Sequence, residues 1–414
     1  MRILIVNTTE RTGGAAIAAN RLMHALRHNG LEATMLVRDR KTDAADVASL
    51  APSWRLRAKF LWERGVIWLA NGLSRRNLFQ VDIANAGTDI TRMPEFQQAD
   101  VIHLHWVNQG FLSMGDLERI FASGKRVVIT LHDQWYFTGI CHYSGECDKY
   151  KSQCCRCPML TGGGIGVDVA RRVFDRKRAI YQGRDITFVG CSRWMADLAR
   201  QSRLTQGHTV INMPNAIDTD VFAPGDRLAA RQRHGLPEEG RLILFGAQRI
   251  TDERKGFRYL AEACQHLASQ QDASDIGIVV LGGDAMSVKE ALPLPVYTID
   301  YLSDEYDIAR LYQAVDLFVT PSLQDNLPNT IVEAMACGTP CVGFDVGGIP
   351  EMIDHRHNGY VAAYRDSLDL QQGILWCLDP ARHESLSQQA RDKALATYSE
   401  AVIAQRYKEI LGVH

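Results

Sequence analysis

No stretch of this chain reaches the roughly 18 uninterrupted apolar residues that a membrane-spanning helix requires. FLWERGVIWLANGL, for example, is broken by Glu63 and Arg64. Neither sign of charge is in excess: 46 Lys and Arg against 48 Asp and Glu leave a net charge of −2, so no global field attracts nucleic acid and any basic surface must be local. No charged n-region followed by an apolar h-region opens the chain, because MRILIVN begins as a strand, and this predicts a cytosolic protein without a secretory signal. The dinucleotide fingerprint G-x-G-x-x-G is missing, which demotes a nicotinamide cofactor. Low-complexity tracts and short-period repeats are missing too.

What is present is enough chain for two cores. At 414 residues, 46% hydrophobic and 23% charged, the composition is that of an ordinary globular protein beyond the size of a single core. Two halves share one grammar of short apolar runs, loops and helical periods, the pattern of doubly wound parallel α/β sheets. RILIVN, ATMLV, DVIHLHW, RVVITLH and ITFVGCS read as buried strands of the first half, and AAIAANRLMHALRHNG as a helix stopped at Gly30. VINMPNAIDTDVFAPGD, rich in turn formers, reads as the linker. RLILFGAQ, IGIVVLGG, VYTI, DLFVTPS and PCVGFDVGG restart the pattern. The predicted domains are 1–215 and 216–397, with a last helix, 398–414, returning to the first. Two such sheets facing each other leave a cleft lined by the carboxyl ends of strands, where ligands of open α/β sheets bind.

The segment PSLQDNLPNTIVEAMACGTP sets Asp325 and Glu333 eight positions apart around a Pro-Asn-Thr corner. Pro328 suits a helix entry, Asn329 an N-cap, and Gly338 with Pro340 a stop. Backbone N–H groups at Asn329 and Thr330 then offer an anion site at a helix N-terminus, with a carboxylate on either side to accept hydrogen bonds from hydroxyls. Equally, Glu333 complements the helix dipole and Asp325 is a turn residue. Arg249 and Lys255, six positions apart in GAQRITDERKGF, can neutralise a departing diphosphate, or form a solvated loop. Gly13 and Gly14 open the first helix and let a ligand approach the backbone. His103, His105 and His132 fall at or near predicted strand ends, where they can face the cleft.

Taken together these segments resemble the family 4 retaining glycosyltransferases, which have the two-domain GT-B fold, over nearly the whole chain. The family's E-x7-E segment is matched by Asp325 and Glu333, followed by GGIPE at Gly347 to Glu351; the Gly13-Gly14 loop, LHD at His132, Arg249 with Lys255, and PNAIDTDVF support the likeness. The resemblance implies that Glu333 binds a nucleotide ribose, Asp325 the hydroxyls of the transferred sugar, Arg249 and Lys255 the donor diphosphate, and His132 the sugar near its reacting carbon. It implies transfer with retention from a nucleotide-diphosphate sugar to a saccharide acceptor, with no catalytic metal required; a membrane contact through residues 54–76 would make that acceptor a lipid-linked saccharide, as in surface polysaccharide assembly. The first acid is Asp where Glu is usual, and Asn326-Leu327-Pro328 replaces the usual Gly-Phe-Gly, so Asn326 shares the hydroxyl contacts or the sugar sits closer to the loop. A GT-B sugar-nucleotide epimerase and a catalytically silent glycan-binding or membrane-tethering module are the rival readings.

Two further segments carry readings of their own, the first of them just downstream of LHD, where it would overhang the acceptor side of the cleft. CHYSGECDKYKSQCCRCP carries Cys141, Cys147, Cys154 and Cys157 at C-x5-C-x6-C-x2-C, with Cys155 left over. In a reducing compartment this reads as a structural four-thiolate zinc site, or as a set of buried thiols. WRLRAKFLWERGVIWLANGLSRR, residues 54–76, carries six Lys and Arg against one Glu, with tryptophans near helical spacing. It reads as a peripheral contact with the anionic inner face of the cytoplasmic membrane, or as an amphipathic helix packed on the first domain.

Overall fold

The computed structural model describes residues 1–164, 166–270 and 273–413. Its chain divides into two compact units, Met1–Met213 with Arg406–His414, and Pro214–Gln405. The last helix, Glu400–Leu411, crosses from one unit to the other after Gln405, and His414 of the predicted 398–414 segment lies outside the described residues.

The first unit is a seven-stranded sheet of β1 (Arg2–Thr9), β2 (Glu32–Asp39), β3 (Val47–Ser49), β4 (Val101–Leu104), β5 (Arg126–Leu131), β6 (Ile186–Gly190) and β7 (Thr209–Asn212), in the order β3-β2-β1-β4-β5-β6-β7. All its pairings are parallel, with Ile3 opposite Ala33 on one side and Val101 on the other. Strands covered on both faces need apolar residues at every position, which is why Ile3, Leu4, Ile5 and Val6 are all buried. The helix Gly14–His28 turns Ala16, Ala19, Leu22, Met23 and Leu26 inward, and Arg27 and His28 complement the carbonyl end of its dipole. It stops before Gly30, whose φ of 85° suits a residue without a Cβ.

The second unit repeats the plan with β8 (Arg241–Gly246), β9 (Ile276–Leu281), β10 (Val296–Ile299), β11 (Leu317–Thr320), β12 (Cys341–Phe344) and β13 (Gly359–Ala362), in the order β10-β9-β8-β11-β12-β13. These pairings are parallel as well. The direction of winding reverses between β1 and β4 in the first unit and between β8 and β11 in the second, and each reversal opens a crevice at the carboxyl strand ends.

The linker reading began too early. Val210 to Asn212 pair with Phe188 to Gly190 as β7, so the first unit keeps them as an edge strand. Several predicted strands ran too far at their C-terminal ends: His105 and Trp106, His132, Gln248, and Pro321 with Ser322 have already left the sheet. Those overshooting residues are the loops that carry the polar chemistry.

Candidate functional site

In the second unit the loops after β8 and β11 meet at the crevice. Gly256 has a φ of 69°, and a Cβ there would lie 1.9 Å from the carbonyl oxygen of Pro321, so only glycine allows this approach. The Leu323 N–H donates to the Arg254 carbonyl at 2.7 Å, fixing the two loops in register. That contact brings Lys255, at the end of the 3-10 turn Glu253–Lys255, to Asp325: Lys255 Nζ donates to Asp325 Oδ2 at 2.8 Å. Ser322 Oγ and the Asn326 N–H also donate to the Asp325 carboxylate. The pair is part-exposed, with side-chain accessibilities of 31% for Lys255 and 16% for Asp325. Behind it, Gly347 at φ 60° packs its backbone on the Asp325 carbonyl, where a Cβ would come within 1.8 Å. GGIPE is thus a backbone support for the acid.

The helix Asn329–Ala336 begins one residue earlier than predicted: Pro328 is its N-cap, without a side-chain bond, and Asn329 is the first helical residue. Asn329 Oδ1 accepts from Asn215 Nδ2 at 2.9 Å. One turn in, Glu333 is buried and its Oε2 accepts from Tyr312 Oη at 3.0 Å. Burial first, then the neighbouring Glu333, push the Tyr312 hydroxyl well above its usual range, so it stays a donor. Leu327 is buried, so its side chain serves packing, and Asn326 is buried beside it.

Arg249 is exposed and, among the described residues, its side chain makes no ion pair or hydrogen bond. It lines a cavity of about 410 Å³ with Gln248, Thr251, Gly283 and Asp284; Lys255, Asp325 and Glu333 are not in that lining. Asp284 was not foreseen from the sequence. Its carboxylate accepts from the N–H of Ile250 (2.8 Å), the N–H of Thr251 (3.3 Å) and Thr251 Oγ1 (2.7 Å), which pins the Arg249 loop. The Thr251 hydroxyl bond leads the contacts that hold the Asp284 carboxyl below its usual pKa, so it remains an acceptor.

In the first unit, Gly13 N-caps the helix Gly14–His28 with a φ of 90° and open space where a Cβ would stand, while Gly14 is its first residue. Buried Glu10 ties this loop to the end of β2 by accepting from the N–H groups of Lys41 and Thr42. The histidines form a chain: His103 Nε2 lies 2.7 Å from Thr130 Oγ1, and His105 Nδ1 lies 2.8 Å from His132 Nε2. His132 Nδ1 in turn contacts Cys191 Sγ at 3.7 Å. Burial lowers the pKa of His103 to about 3 and of His132 to about 4, and that of His105 well below its usual value, so the chain is uncharged at neutral pH. As placed, His132 reaches a ligand with a ring nitrogen only by giving up one of these partners. Beside it, His105 Nε2 and both polar side-chain atoms of Asn108 are buried without a hydrogen-bond partner. Leaving an amide so costs about 1–3 kcal/mol. Asn108 sits where β1 and β4 part, its carbonyl accepting from Thr8 Oγ1 at 3.1 Å.

The cysteine loop does not fit zinc as placed. Among the described residues no three His, Cys, Asp or Glu side chains converge on a point that could hold a metal ion. The neighbouring Cys157 thiol, and then burial, hold the Cys141 pKa well above its usual value, and Cys154 Sγ accepts from the Gly139 N–H at 3.2 Å; Cys147 is part-exposed. What ties the loop down is charge. His142 Nδ1 lies 2.7 Å from Asp133 and its Nε2 2.6 Å from Asp82, which also pairs with Arg64. Burial pushes the His142 pKa down, but the two carboxylates outweigh it and hold it at about 10. Buried Lys177 completes the staple by donating to the carbonyls of Trp135, Thr138 and Gly139. A histidine inside a cysteine-rich run, next to a Leu-His-Asp segment, was the available signal for this network.

Comparison with known proteins bears on the second unit most directly. Residues 240–380 match the family described as glycosyl transferases group 1. The N-acetyl-alpha-D-glucosaminyl L-malate synthase of Bacillus anthracis is 26% identical over 256 residues, 55% of this chain and 65% of that protein. The D-inositol 3-phosphate glycosyltransferase of Stackebrandtia nassauensis is 31% identical over 169 residues, 38% of each chain. This chain thus spans less than two thirds of either curated relative. Among solved structures, sucrose-phosphate synthase from Thermosynechococcus elongatus superposes with a TM-score of 0.69 at 17% identity, covering 100% of this chain and 98% of the other. Anabaena HepE, solved in complex with UDP, gives 0.64 at 17% identity over the whole of both chains. These likenesses establish the GT-B architecture.

Proposed function

We propose that this chain, whose residues 240–380 match the family described as glycosyl transferases group 1, moves a sugar from a nucleotide-diphosphate donor to a saccharide or lipid-linked saccharide, with retention at the anomeric carbon, in surface polysaccharide assembly. The observation that carries this reading is the Lys255–Asp325 pair of 2.8 Å at the crevice between β8 and β11, beside the N-terminus of the helix Asn329–Ala336. A cation and a carboxylate held together by backbone contacts, next to helix N–H groups, match a ligand that joins hydroxyls to phosphates. HepE, of the same fold, has been solved with UDP and with UDP-glucose, which supports a nucleotide sugar as donor.

In this reading Lys255 exchanges its carboxylate partner for a donor phosphate, which frees Asp325 to accept from sugar hydroxyls. Arg249, held out by the Asp284-pinned loop, meets the diphosphate, and Glu333, oriented by Tyr312, accepts from the ribose. The N–H groups of Asn329 and Thr330 face the phosphates, since Pro328 supplies none. The bond from the anomeric carbon to the β-phosphate oxygen breaks as the acceptor oxygen bonds on the same face. The acceptor's proton passes to the leaving phosphate, whose charge the two cations stabilise. In the first unit the Gly13-Gly14 loop, with open space where a Cβ would stand at Gly13, would let a ligand approach its backbone.

Thermal unfolding with UDP, GDP, ADP, CMP and dTDP side by side tests this reading. A nucleotide at 100 times its dissociation constant stabilises by about 2.7 kcal/mol, and one of the diphosphates is expected to do so. Indifference to all five would count against a nucleotide-sugar site.

A further inference from the structure

Sixteen large hydrophobic side chains are exposed across the described residues, and seven of them fall between residues 54 and 79: Trp54, Leu61, Trp62, Trp68, Leu69, Leu73 and Phe79. Five belong to one helix, Trp54–Ala70. At 100° per residue those five, with exposed Ala58, fall within an arc of roughly 120°. The opposite side of the same helix is committed to the protein. Ile67 and Glu63 are buried there, Glu63 accepting from the N–H groups of Ile83 and Ala84, Lys59 donates to Thr88 Oγ1, and Leu56 and Val66 pack on the apolar clusters of the first unit. The helix is therefore apolar on both sides, and one side faces solvent.

Charge frames that outer face. On the helical wheel exposed Arg55 borders the arc on one edge and exposed Arg57 on the other, and exposed Arg75 and Arg76 follow between Leu73 and Phe79. The only acid from 54 to 79 is Glu63, which is buried. We propose that this face is a docking surface for an anionic lipid bilayer, on which the helix lies in the plane of the headgroups. Tryptophans at the rim of a bilayer keep their rings in the apolar region and their N–H in the wet one, and flanking arginines meet lipid phosphates. A second copy of the chain fits less well, because a two-fold contact through this face would set basic borders against each other. The proposal goes beyond the transfer reaction and does not depend on it.

Flotation of the full chain with vesicles tests it. The chain is expected to float with phosphatidylglycerol–phosphatidylethanolamine vesicles at low salt, and much less with phosphatidylcholine vesicles. Trp62→Glu with Leu69→Glu is expected to abolish flotation, while the far-ultraviolet circular dichroism and the unfolding temperature stay nearly unchanged because both side chains are exposed. Arg57→Ala with Arg76→Ala is expected to weaken partitioning on the order of 25-fold, at roughly fivefold per cation near an anionic surface. The nucleotide-induced thermal shift is expected to survive both changes, which keeps the result separate from the donor site. The proposal is overturned if anionic vesicles do not carry the protein, or if the folded Trp62→Glu/Leu69→Glu protein floats as before. It is equally overturned if sedimentation velocity finds a dimer that those changes dissolve.

Discussion

Lys255 and Asp325 are 70 positions apart in sequence and 2.8 Å apart in space. A part-exposed pair of this kind contributes at most about 1 kcal/mol to stability. Lys255→Ala is therefore expected to leave the unfolding temperature nearly unchanged while removing the nucleotide-induced shift; an intact shift would detach Lys255 from the donor site. Tyr312→Phe deletes a donor to the buried Glu333 carboxylate, and urea unfolding is expected to show a loss of about 1–3 kcal/mol. His142 makes a pH-dependent contribution. Its folded pKa of about 10 stands above the ordinary 6.5, so the stability its proton contributes is complete below pH 6.5 and is lost as pH rises toward 10. The stability gap between the native protein and His142→Gln is expected to narrow across that window in a pH series of urea titrations. A gap that stays constant or widens would mean His142 is not charged in the folded protein.

At the scale of elements, the site depends on loops whose backbones touch. Gly256 and Gly347 both combine a positive φ with a carbonyl oxygen where a Cβ would stand, at 1.9 and 1.8 Å. Either change to alanine must move a loop as well as strain a torsion, and losses of at least roughly 1–3 kcal/mol are expected. Asp284→Ala tests positioning instead. Three hydrogen bonds hold the Arg249 loop to Asp284 at the surface, so stability should fall by on the order of 1 kcal/mol. Calorimetry is expected to find weaker nucleoside diphosphate binding in that variant, and unchanged affinity would show that the pinned loop does not serve the donor. The strands that hold these loops were legible because parallel strands buried on both faces are written as unbroken apolar runs. The edge strands β3 and β7 were not, since three or four partly exposed residues carry little of such a run; β10, equally short, was read from VYTI, and β13 was missed although three of its four residues are buried.

At the scale of the whole molecule, the chain builds one unit, then the other, and returns its last residues to the first. Arg406 donates to the Asn212 carbonyl at 2.7 Å, Arg126 reaches the Ile410 carbonyl, and the Tyr407 ring lies 5.4 Å from that of His103. Truncation after Gln405 would uncover the buried His103, and leave the Asn212 carbonyl without its Arg406 donor and the Arg126 guanidinium without its Ile410 acceptor. A thermal scan is expected to show destabilisation of the first unit, and an unaltered scan would mean the returning segment is dispensable. By itself the sequence determined the α/β class, the two-fold repetition of parallel sheets, and the positions of the acids, cations and glycines, because apolar period, turn chemistry and residue spacing are local properties. Only the tertiary structure decided that Lys255 meets Asp325, that Tyr312 holds Glu333, and that Asp284 pins the loop that carries Arg249. It also decided that the cysteine loop is stapled by His142 and Lys177 and that the tryptophans of 54–70 face outward. Those facts depend on which distant segments the sheets bring together and on what burial then does to charge, and neither is written in any local stretch of chain.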